Sequence, residues 1–167
     1  MPNLPQRKHP RLKEYNYSTP GAYFITICTH EHRCLFGEYT NTDLILSAYG
    51  CIAEEQLFLL ETRYPFLKIT HHVIMPNHIH AILELDTSSN PPDKRPTLND
   101  IICAYKSLTT RACKQQKPID KLFQASYYDH VIRTDADYRE IAQYIIDNPA
   151  KWFYNKLYIE QDAHDHE

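Results

Sequence analysis

LKITHHVIMPNHIHAILEL, running from Leu67 to Leu85, is the stretch on which the fold turns. Two runs rich in β-branched and apolar residues flank Pro76-Asn77, a turn dipeptide. Leu67–Met75 and His78–Asp86 are therefore expected to pair as an antiparallel hairpin. In the second arm Ile79, Ala81, Leu83 and Leu85 alternate with His78, His80, Ile82 and Glu84. Side chains on a strand point alternately to opposite faces, so the first set forms a core stripe and the two histidines share the other face. Their spacing is about 6.5–7 Å along the chain, which lets two imidazoles converge on one metal ion. The plainer alternative is a pair of surface histidines satisfied by water or backbone. His71 and His72 are adjacent, point to opposite faces, and carry no such reading.

Outward from this hairpin the chain alternates strands and helices. AYFITICTH (Ala22–His30) follows the turn signal Pro20-Gly21 and reads as a first strand. Ser47 offers an N-cap for a helix to about Thr62, with Ile52, Ala53, Leu57 and Leu60 at helical spacing and Pro65 beyond its end. TSSNPPDKRP (Thr87–Pro96) is a polar, proline-broken loop. Thr97 then caps a second helix from Leu98 to about Gln115, with Ile101, Ile102, Tyr105 and Leu108 on its apolar side. SYYDHVIR (Ser126–Arg133) reads as a fourth strand, and Thr134 caps a third helix, DADYREIAQYIIDN, which Pro149 bends or restarts. This order predicts an α+β fold of the ferredoxin-like kind, an antiparallel sheet backed by helices. The expected divisions are a basic arm over 1–20, one domain over 21–157 and an acidic tail over 158–167.

The 167 residues fit one domain with a sizeable core, 43% apolar content is that of a globular chain, and the 23% charged fraction excludes a disordered one. No apolar run approaches the ~20 residues that span a bilayer, so no membrane partner is expected. The N-terminus lacks the apolar core of a secretory signal. Five cysteines without CxxC spacing point to reduced thiols and a cytoplasmic location rather than to disulfides or a zinc ribbon. The net charge of −3 hides a division. EQDAHDHE, at the end, carries four acids, and without it the chain is weakly positive. The first fourteen residues hold Arg7, Lys8, Arg11 and Lys13 against Glu14 alone. Local basic patches of this kind bind phosphates on weakly acidic proteins too.

On the third helix Tyr144 and Asn148 are four residues apart and so share one face, with Ile141 and Ile145 beside them to pin the helix to the sheet. Beside a two-histidine site, the Asn oxygen is a candidate third ligand and the phenol a candidate nucleophile. VIMPNHIHAIL together with YYDHVIRTDADYREIAQYIIDNPAKW closely resembles the REP-associated tyrosine transposases, a branch of the single-tyrosine HUH endonucleases. RLKEYNYSTPGAYFITICTHEHRCLFGE and IICAYKSLTT are also similar, so the resemblance runs from about Arg11 to Trp152.

The resemblance implies a ferredoxin-like core, His78 and His80 as the metal-binding pair, Asn148 as a third ligand and Tyr144 as the catalytic tyrosine. It implies a divalent cofactor, Mg2+ or Mn2+, of which two imidazoles suit Mn2+ better. The implied activity is a transposase-type endonuclease that cuts and rejoins single-stranded or hairpin DNA through a 5′-phosphotyrosine link. Repetitive extragenic palindromes are the expected hairpins, met at the nucleoid by a monomer or homodimer. Two departures stand out: Phe123 and Ala125 fill positions where relatives often have Trp and Arg, and the chain ends soon after the tyrosine helix.

Candidate DNA contacts are Arg7, Lys8, Arg11 and Lys13 on the arm, Lys106 and Arg111 on the second helix, continued by Lys114 and Lys117, and His130 and Arg133 around the fourth strand. Tyr127 or Tyr128 is a candidate for stacking a base. Two other readings compete. A hairpin-binding regulator without productive transposition would need the fold but not the chemistry. A small metal-dependent phosphohydrolase would use the histidine pair and leave Tyr144 and Asn148 without a role.

Overall fold

The computed structural model describes residues 21–86 and 96–154. The basic arm, most of the proline-rich loop and the acidic tail lie outside these residues, and with them Arg7, Lys8, Arg11 and Lys13. Among the described residues six strands and three α-helices follow one another: β1 (Gly21–Cys28), β2 (Gly37–Tyr39), β3 (Leu44–Leu46), α1 (Ala48–Arg63), β4 (Leu67–Met75), β5 (His78–Leu85), α2 (Leu98–Gln116), β6 (Tyr128–Ile132) and α3 (Asp135–Asp147). Among the described residues no helix is long and apolar enough to cross a membrane.

The main sheet has the order β4-β5-β1-β6, with every neighbouring pair antiparallel. This is the ferredoxin-like arrangement expected from the element order. The β4–β5 hairpin turns at Pro76-Asn77 as the sequence implies, so Met75 sits opposite His78 and Val73 opposite His80. The three helix starts are set by their capping residues. Ser47 accepts from the Gly50 amide, Thr134 from the Asp137 amide, and Thr97 forms a reciprocal capping box with Asp100.

A feature the sequence reading missed is a small second sheet, β2 paired with β3. Its strands are three residues long, too short for alternation to show. Its neighbour Phe36 is fully buried, and Gly50 at the start of α1 lies so close to the Phe36 carbonyl that a Cβ there would overlap it.

The sheet separates two apolar layers. Tyr23, Ile25 and Ile27 of β1 and Ile79, Ala81 and Leu83 of β5 pack against Ala53, Leu57 and Leu60 of α1 and Ile101, Ile102 and Tyr105 of α2. On the opposite face Phe24 and Ile82 pack against Ala142 and Ile145 of α3. In β4 a register shift between Ile69 and His71 marks a bulge at Thr70. It lets Ile69 and Ile74 both join the α1/α2 layer while Val73 joins the α3 layer. His72 accordingly meets Glu54 of α1, and His71 meets Tyr138 of α3.

Candidate functional site

His78 and His80 stand at the start of β5, opposite Cys28 and Thr26 of β1. Both rings face the α3 side, and they are 0% and 3% exposed. They are thus not the water-satisfied surface pair of the plainer reading, because three aromatic rings from elsewhere in the chain cover them. Trp152 stacks on His78 with centroids 6.0 Å apart, and Phe24 stacks on His80 at 5.2 Å. The Tyr144 ring meets His80 edge-on at 5.3 Å, and the two imidazoles lie 4.6 Å apart.

The outer nitrogen of each ring is held by a neighbour. His78 Nδ1 lies 2.8 Å from Asn77 Oδ1, and the Asn77 amide donates to the His32 carbonyl at 3.1 Å. With Nδ2 so engaged, Oδ1 acts as an acceptor, so His78 carries its proton on Nδ1 and keeps a lone pair on Nε2. His80 Nδ1 lies 2.8 Å from the Thr26 hydroxyl, its register partner. The two inner nitrogens, His78 Nε2 and His80 Nε2, are buried without a hydrogen bond among the described residues. Buried polar atoms are ordinarily paired, so two such atoms side by side need an explanation.

Burial holds both rings neutral. It pushes His78 down to about 4, opposed by the Asn148 side chain close by and assisted by the nearby His32. Burial likewise pushes His80 well below the usual imidazole range, with His78 adding repulsion and the Ile25 backbone opposing. Neutral imidazoles are what a metal ligand requires. Among the described residues no three His, Cys, Asp or Glu side chains converge on one point. Asn148, 2% exposed, is the carboxamide beside the pair.

Helix α3 presents Tyr144 and Asn148 one turn apart over this site. Ala142 and Ile145, both buried, anchor it on Phe24 and Ile82. Tyr144 itself is 46% exposed although its ring lies against His80 and Phe24. Tyr138 is placed differently: its hydroxyl lies 2.7 Å from that of Thr70, packed against the α3 layer.

The other candidates are scattered. Lys106 donates to the Gln124 and Ser126 carbonyls at 2.7 and 2.9 Å, so it braces a loop instead of facing outward. Arg111 is exposed and lines a groove beside that loop. His130 is held by Asp137 at 2.8 Å, a carboxylate partner that competes with any phosphate. Arg133 follows Ile132, the partner of Ala22, at the end of the sheet away from the histidines. Tyr127 is buried, whereas Tyr128 is exposed at the edge of Phe24. Phe123 packs against Phe36 and Tyr105. The sequence reading overlooked Asn77, Thr26, Phe24 and Trp152. The only signal for Asn77 was its place before His78, and it was absorbed by the turn.

No family model matches the chain. A protein of Haemophilus influenzae described only as uncharacterized is 32% identical over 169 residues, covering 92% of this chain and 94% of its own length. Among solved structures, a REP-associated tyrosine transposase bound to a REP hairpin superposes with a TM-score of 0.64. The match covers 87% of this chain and 76% of that one, at 21% identity. A candidate transposase of Deinococcus radiodurans superposes with a TM-score of 0.52 at 17% identity, over 82% of this chain and 97% of that one.

Proposed function

Since the chain belongs to one family with the Haemophilus influenzae protein and has the fold of a REP-associated tyrosine transposase, we propose that it is a transposase-type endonuclease. Its substrate is single-stranded or hairpin DNA, which it cuts and rejoins through Tyr144. The observation that carries this reading is the pairing of two buried, neutral imidazoles, both with Nε2 unbonded, with one half-exposed tyrosine against them.

His78, His80 and Asn148 would hold a divalent ion, Mn2+ being favoured over Mg2+ by two nitrogen donors. Such an ion supplies Lewis acidity to a phosphate oxygen when bound. The chain's own residues do the rest. Asn77 and Thr26 fix the two rings from behind, and Trp152 and Phe24 exclude water from their faces. Ile145 anchors α3, which carries the half-exposed Tyr144 against His80, and a phosphodiester would be presented in line to its phenol. Tyr144 Oη bonds to phosphorus, the P–O3′ bond breaks, the phenolic proton is given up to water and the released O3′ takes one. The 5′-phosphotyrosine conserves the bond energy, so a second 3′-hydroxyl can reverse the step and join new ends. Tyr128, exposed at the rim beside Phe24, offers a ring face to a flanking base.

The test is incubation of the full chain with end-labelled hairpin DNA and Mn2+, followed by denaturing electrophoresis. A labelled protein adduct is expected, absent with EDTA and absent from the His78→Ala and His80→Ala variants. Release of free cleaved DNA with no adduct under any condition would favour a phosphohydrolase instead.

A further inference from the structure

A groove of about 740 Å3 lies between α2 and the segment 120–125. Lys106, Arg111 and Lys114 line it from the helix, and Lys121 lines it from the opposite wall. Asp120 is the one acid in the lining. Arg111, Lys114 and Lys121 are exposed, and none forms an ion pair with another described residue. Four cations against one carboxylate, on a chain whose net charge is −3, is a concentrated local excess. Such an excess in a concave surface focuses positive potential and favours an anionic ligand.

The walls are fixed. The Lys106 ammonium ties the loop to α2 through the Gln124 and Ser126 carbonyls. The Gln124 amide donates to the Cys28 carbonyl, and Cys28 is the register partner of His78. The Gln124 side chain, part of the lining, meets His32 Nε2 at 3.0 Å, and the His32 carbonyl accepts from the same Asn77 that holds His78. These hydrogen bonds tie the groove wall to the strands that carry the histidines. Of the apolar lining residues, Leu122 and Phe123 are 1% and 6% exposed, so the large side chains exposed in the groove are mainly cationic.

We propose that this groove holds the sugar-phosphate backbone of single-stranded DNA, through Arg111, Lys114 and Lys121, without reading bases. The proposal rests on the endonuclease reading above, and binding without cleavage separates the two. Fluorescence anisotropy of labelled single-stranded oligonucleotides is measured with the full chain in EDTA across a salt titration. Each neutralised single-strand phosphate contributes a slope of about 0.7 in log K against log salt. Arg111→Gln/Lys114→Gln/Lys121→Gln should reduce the slope by about two units, equally for two unrelated sequences. Asp120→Asn should tighten binding, a gain that a misfolded variant would not give. Arg63→Gln, at the end of α1, should leave the slope unchanged. Salt-dependent wild-type binding with an unaltered slope in the triple variant would overturn the groove and leave the endonuclease reading standing. A loss confined to one of the two sequences would overturn backbone-only recognition. Wild-type protein that binds neither oligonucleotide would contradict both readings.

Discussion

Asn77 Oδ1 accepts the Nδ1 proton of His78 at 2.8 Å, while the other end of the same amide is spent on the His32 carbonyl. A residue that sequence reading assigns to a turn therefore sets which nitrogen of the neighbouring ring is available. Removing the amide frees His78 to adopt the other tautomer. Asn77→Ala should weaken Mn2+ binding, by isothermal titration, about 10- to 100-fold, the usual cost of losing such a supporting partner. Wild-type affinity in that variant would mean that the tautomer is set elsewhere.

Thr26 holds the Nδ1 of His80 from the adjacent strand. Thr26→Val keeps the β-branched shape and deletes the hydroxyl, removing a hydrogen bond from a buried ring. A loss of about 1–3 kcal/mol in urea denaturation is expected, with weaker metal binding. Unchanged stability would show that the contact contributes nothing net.

Trp152, 1% exposed, closes the site from beyond α3 by stacking on His78. Trp152→Ala removes a large buried ring and should cost about 3–5 kcal/mol. Trp152→Phe preserves a stacking face and should retain most of the stability. Equal losses in the two variants, by thermal denaturation, would argue that the indole acts through something other than ring contact.

The depressed imidazoles make the metal-free fold sensitive to acid. His78 titrates near 4 in the folded chain against about 6.5 when unfolded, and His80 is shifted the same way. Between these values the unfolded state binds more protons, so stability rises with pH across the window and falls as pH drops from 6.5 towards 4. The urea midpoint in EDTA should decline through that range, and less steeply in His78→Phe. An equal slope in the variant would assign the effect to other groups.

Much of the architecture was legible because it rests on local signals. Pro76-Asn77 marked the hairpin, and Ser47, Thr97 and Thr134 marked three helix starts that the structure reproduces. The short β2–β3 pair and the bulge at Thr70 left no periodicity to read. Burial of the histidines was hidden for another reason. His78 and His80 sit on the strand face that alternation marks as polar, and their cover comes from Phe24, Tyr144 and Trp152, distant in sequence. Spacing alone put Tyr144 and Asn148 on one helix face, and the family resemblance joined them to the histidines. Thr26 could be found only from the strand register.

The identity of the nucleophile is the most direct test, and the sequence makes it unambiguous. Trypsin releases Glu140–Lys151, EIAQYIIDNPAK, in which Tyr144 is the one tyrosine, while Tyr138 falls in Thr134–Arg139 and Tyr127 and Tyr128 in Leu122–Arg133. The covalent DNA adduct, digested with nuclease and trypsin, is mapped by mass spectrometry alongside the Tyr144→Phe variant. A phosphotyrosyl nucleotide on Glu140–Lys151, and no adduct from the variant despite normal hairpin binding, is the result expected. A nucleotide on either of the other peptides, or wild-type cleavage by Tyr144→Phe, would contradict the account.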